Sequence, residues 1–82
     1  MKIDFPPASL AEGRSALAKL VTEIDKLNVQ LDDPGRRARD DFPKWAGLAH
    51  AALRHMLRER TQLEVWIEMQ EAQAFWEEED HA

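Results

Sequence analysis

Three histidines, His50, His55 and His81, are the side chains best suited to hold a metal or move a proton. A helix puts metal ligands on one side when they are three or four residues apart, whereas His50 and His55 are five apart and diverge around the axis. Ordinary surface or boundary histidines are the simpler reading. Glu78-x-x-His81 has the Glu-x-x-His spacing of di-iron helical bundles, but no second copy and no inward glutamate accompanies it. Of the hydroxyls Ser9, Ser15, Thr22 and Thr61, Ser9 is spoken for by a helix cap and no histidine is locally placed to activate the others. Gly13, Gly35 and Gly47 are isolated, so no loop can cradle a phosphate. The expectation is a non-enzymatic chain with no cofactor and no metal.

Charge offers a different kind of chemistry. Residues 1–33 hold four bases against six acids, residues 34–60 seven bases against three acids, and residues 61–82 seven acids with no lysine or arginine. Such a dipole orients docking and speeds encounter more than it shapes the fold. Arg36, Arg37 and Arg39, followed by Arg54 and Arg58 at helical spacing, form the best nucleic-acid contact in the chain. Asp40 and Asp41 partly neutralise that tip, and the net charge is −5, so nucleic acid is disfavoured against a protein contact or a solvated face. The acidic run Glu77, Glu78, Glu79 and Asp80 could seat in a basic groove of a partner. Such a run is more often a solubilising helix end, and only the adjoining Phe75 and Trp76 raise it above that reading, because aromatics beside charge are common binding anchors.

Two helices must position these groups. Residues 1–8 contain Pro6 and Pro7 and are expected to be an extended arm. Ser9 with Glu12 is a capping-box pair, and the spacing of Leu10, Leu17, Leu20, Ile24, Leu27 and Leu31, with Gly13 at the one small position, predicts a helix over about 10–31 with a coiled-coil seam. Asp32-Asp33-Pro34-Gly35 is turn chemistry, with a glycine free to take positive φ, and opens a loop over 32–40. Asp40 or Asp41 can cap a second helix, about 41–79, that keeps Pro43 in its first turn; residues 80–82 are a frayed tail. The fold expected over 9–79 is an all-α, antiparallel two-helix hairpin.

The helices are unequal, and that carries the functional reading. A plain hairpin would set Leu31 near Phe42 and Leu10 near Leu63, leaving roughly the last four turns of the second helix unpartnered. Those turns carry Val65, Trp66, Ile67, Met69, Phe75 and Trp76. The second helix also has a seam for the first, Phe42, Ala46, Ala49, Leu53, Met56, Leu63, Ile67 and Ala74, interrupted by Arg60 and Gln70. A neighbouring stripe of Trp45, Leu48, Ala52, Trp66 and Met69 runs beside it. So much apolar surface calls for the arm, a second copy or a foreign protein. The expected partner is a protein, with a homodimer forming a four-helix bundle as one form. The expected contact residues are Trp45, Leu48, Trp66, Met69, Phe75 and Trp76. With no apolar run near the ~20 residues that span a bilayer, no Sec-type signal and no cysteine, no membrane role and a cytoplasmic location are expected.

Two resemblances bear on function. Trp45-x-x-x-Ala49-x-x-Ala52-Leu53, continuing to Arg60-x-x-Leu63-x-x-Trp66-Ile67, resembles small helical-hairpin proteins encoded by bacteriophages and prophages, which implies an accessory role in assembly or in inhibiting a host factor. Trp45-Ala46-Gly47 with Trp76-x-x-x-Asp80 is similar to the Trp-x-Gly and terminal aromatic-x-x-x-acid motifs of the WXG100 (ESAT-6-like) family, which implies a secreted, dimeric hairpin. The first resemblance spans more of the chain.

Overall fold

The computed structural model describes residues 5–80, with side chains as far as Glu77. Helix α1 spans Leu10–Asp32, a four-residue helix α2 spans Pro34–Arg37, and helix α3 spans Phe42–Asp80. No described residue lies in a strand. The two long helices pack against each other as a hairpin, giving a rod of 64 × 18 × 14 Å. Its radius of gyration is 17.5 Å, against about 12 Å for a compact chain of this length.

The start of α1 is set by its cap. Ser9 is extended (φ −151°, ψ 164°), and its hydroxyl accepts from the Glu12 N–H at 3.1 Å. The Glu12 carboxylate reaches back to the Ala8 N–H at 3.3 Å, so the box closes one residue earlier than the usual pairing.

The bend is more ordered than a loop. Asp33 ends α1 and caps α2, its carboxylate accepting from the Gly35 N–H at 3.2 Å, with Pro34 in the first turn where its missing N–H costs nothing. Gly35 is therefore helical, and no described glycine has positive φ, which corrects the expectation of a left-handed turn there. At the start of α3 the Asp41 carbonyl accepts from the Trp45 N–H at 3.0 Å, while the Asp41 carboxylate lies 3.5 Å from Arg39 Nε.

Two apolar clusters hold the hairpin. Leu31 meets Ala46 and Ala49 near the bend, with Phe42 and Trp45 against them. Farther along, Leu20, Ile24, Met56 and Leu63 form the main core, and Leu20 and Leu63 are fully buried. These are the seam positions of both helices, where 3,4 spacing gives each helix one apolar line. Arg60 interrupts the line without burying its charge: it is half-buried, and Nε lies 3.4 Å from Glu64 Oε1.

The register differs from the plain hairpin. Gly13 lies against Trp66, and Arg14 pairs with Glu71 at 2.8 Å, so α1 accompanies α3 to about residue 71 rather than residue 63. The difference begins at the bend, where α2 packs against α1 and Leu31 meets Ala46 and Ala49 as well as Phe42. Ile67, expected in the overhang, is buried. Only the stretch from about Ala72 onward runs past α1.

Candidate docking face on the long helix

The tryptophan stripe divides. Trp45 is half-buried at the bend, its ring 5.8 Å from Phe42 and beneath the Arg36 guanidinium, 4.5 Å from the ring centroid. Trp66 is half-buried over Gly13, which is itself buried and has no side chain to keep the indole away from α1. Both rings reach back into the hairpin because a large side chain on the flank of a seam can span to the neighbouring helix. Less of their surface is free for a partner than the stripe pattern implied. Leu48, Met69, Phe75 and Trp76 are different, each more than half exposed at 67, 64, 57 and 63 %. Phe75 and Trp76 touch edge to face at 6.1 Å.

The exposed residues define a face the stripe had not identified. Arg58, Val65 and Met69 each lie two residues beyond a buried seam residue, Met56, Leu63 and Ile67, which is about 200° around the helix. They point away from α1. Val65, Met69, Ala72 and Trp76 continue at 3,4 spacing, so α3 carries a second, outward seam in its C-terminal half. Toward the N-terminus the same side presents Arg54, Ala51 and Gly47, and a side chain at Gly47 would meet nothing within 4 Å. The spacing of Val65, Met69, Ala72 and Trp76 was the available signal; the row is split when Val65 belongs to the overhang alone and Met69 to the stripe of Trp66.

A groove of about 970 Å³ lies over the middle of this face, walled by Phe5 and floored by residues that include Arg58, Gln62, Val65 and Met69. Pro7 lies within 3.5 Å of where a Gly13 side chain would begin, so the arm turns across the hairpin near Trp66. Phe5 covers part of the apolar surface and is itself half exposed. Leu48, Phe75 and Trp76 lie outside that groove.

The charged candidates also separate. All three tip arginines are engaged at the bend: Arg36 on Trp45, Arg37 donating to the Leu31 carbonyl at 2.9 Å and lying 3.6 Å from Asp32, and Arg39 beside Asp41. Arg54 and Arg58 are exposed and have no ion-pair partner among the described residues. Glu77 is exposed on α3; the side chains of Glu78, Glu79 and Asp80, and the whole of His81, lie outside the described residues, and with them the Glu78-x-x-His81 spacing.

His55 and Glu59 form the remaining polar pair, with Nε2 3.1 Å from Oε1 and Glu59 mostly covered while His55 is open. Among the described residues no cluster of three His, Asp or Glu side chains could hold a metal ion. No described helix is long and apolar enough to cross a membrane. Known proteins offer no guide: no family model matches the chain, and neither a curated protein nor a solved structure shows significant similarity to it.

Proposed function

We propose that this protein is a non-enzymatic protein-interaction module that docks through the outward side of α3. The observation that carries this reading is the row of exposed Val65, Met69 and Trp76 on the side turned away from α1, flanked by Leu48 and Phe75. An apolar seam at helical spacing is stabilised by burial, at about 25 cal/mol per Å² of apolar area, and a helix lying along it is the form of partner that matches its width. Engagement of all three tip arginines within the bend favours this reading over nucleic-acid binding, since a phosphate would have to displace those contacts.

The biological setting we infer is an accessory role in a bacteriophage or prophage, resting on the resemblance carried by Trp45, Ala49, Ala52, Leu53, Arg60, Leu63, Trp66 and Ile67; the adjoining genes test it. The docking face is tested with a photo-crosslinking phenylalanine analogue at Met69, compared with the same analogue at Thr22, which is exposed on α1. Irradiated in its native cells, the Met69 chain is expected to form a discrete protein adduct that the Thr22 chain does not. Equal labelling at both positions, or none at either, would refute the docking face.

A further inference from the structure

The outward side of α3 is built to meet itself, and we propose that its occupant is a second copy of this chain, lying antiparallel with the two helices crossing near Thr61. This rests on the docking reading above and names the partner. The argument is charge complementarity about one point. Arg54 and Arg58 stand seven and three residues before Thr61; Glu68 and Glu64 stand seven and three after it. A two-fold axis at Thr61 therefore brings Arg54 of each copy to Glu68 of the other and Arg58 to Glu64, whose carboxylate it would share with Arg60 of that chain, four opposite-charge meetings from two residue pairs. Lys44 and Glu77 extend the pattern to within a residue of the same centre. A parallel alignment in register would instead set each arginine against its own copy and each glutamate likewise.

The centre itself satisfies a second requirement. Residues at a two-fold axis meet themselves, so a charge there would repel its twin; Thr61 and Gln62 are neutral, and the Thr61 hydroxyl is already satisfied by the Leu57 carbonyl at 3.1 Å. The ends fit as well. The same alignment sets Phe75 of one copy opposite Gly47 of the other, where the absence of a side chain leaves open space for a ring, with Trp76 next to it. Because this side faces away from α1, the four helices would stand in a row, with the two long helices in the middle, instead of forming a square bundle.

The strip from Gly47 to Trp76 is about 44 Å long and one helix, ~10 Å, wide, on the order of 440 Å² per copy. Stable interfaces cover ~800 Å² per partner, so this dimer forms and dissociates with concentration.

The test uses the full chain in three forms: wild type, the double variant Arg54→Glu with Arg58→Glu, and the double variant Glu64→Lys with Glu68→Lys. Circular dichroism first establishes that all three are helical to the same degree. In sedimentation at rising concentration the wild type should pass from monomer to dimer. Each variant alone should associate at least tenfold more weakly, and their equimolar mixture should recover a dimer. Since the chain contains no cysteine, an equimolar mixture of Arg54→Cys and Glu68→Cys chains adds a register test: the mixed disulfide should form in preference to either self-disulfide.

A wild type that stays monomeric, or charge variants that dimerise as it does, would overturn the second copy as occupant. A Met69-specific adduct at another protein's mass, with the wild type monomeric, would overturn this assignment and leave the docking face standing. Absence of both dimer and adduct would remove both.

Discussion

Replacing Gly13 with alanine sets two effects of known size against each other. Gly13 lies inside α1, where alanine is favoured over glycine by about 0.8–1 kcal/mol per residue. A Cβ at that position, however, would stand 2.6 Å from Trp66 Cζ3 and 3.2 Å from Cε3. Carbon contacts are comfortable at about 3.5–4 Å, so the indole must move by close to an ångström, and overpacking of that kind costs about 1–3 kcal/mol. Sterics should win, and Gly13→Ala is expected to lose about 1 kcal/mol. Against a Trp66→Leu background the obstacle is gone and the same substitution should gain about 1 kcal/mol. The informative quantity is the reversal, a coupling of about 2 kcal/mol between two residues far apart in sequence. In a domain of this size each kcal/mol moves the melting midpoint by roughly 4–8 °C, well within reach of far-ultraviolet circular dichroism. All four chains must be compared at one concentration, because association raises apparent stability. An equal gain from Gly13→Ala in both backgrounds would refute the contact and, with it, the register of the hairpin.

Two further substitutions separate the core from the outer face and test the cap. Leu63→Ala, at a position with no exposure, should cost about 2–5 kcal/mol; Met69→Ala on the exposed side should fall within ~0.5 kcal/mol when measured at low concentration by urea unfolding. Ser9→Ala removes the hydroxyl that accepts from the Glu12 N–H and should lower stability by about 1 kcal/mol, with helix content falling at the N-terminal end of α1 by amide exchange.

The seam of each long helix was legible in the amino-acid pattern, because Leu20, Ile24, Leu31, Ala46, Ala49, Met56 and Leu63 repeat at the spacing that makes one apolar line. The cap at Ser9 was legible for the same kind of reason: it depends on residues three apart. Register was not. It depends on how much chain the bend consumes, and Pro34-Gly35-Arg36-Arg37 suits a turn or a helical start equally well until Asp33 is seen to cap it. The candidate site suffered from that error. Placing Leu10 near Leu63 left Trp66 and Ile67 bare, whereas the true alignment covers Ile67 and seats Trp66 on Gly13. The arginine cluster was visible, but its task was not, since a guanidinium above Trp45 and another bonded to the Leu31 carbonyl arise only once the chain has turned.

The bend has a kinetic consequence. Its holding contacts, Asp33 to Gly35, Arg37 to Leu31, Arg39 to Asp41 and Arg36 to Trp45, join residues no more than nine positions apart. Short loops close in well under a microsecond, so the corner can assemble before either long helix has found its mate. Zippering would then start from Leu31 with Ala46 and Ala49 and travel outward toward Gly13 and Trp66, the corner dictating which side chains come face to face.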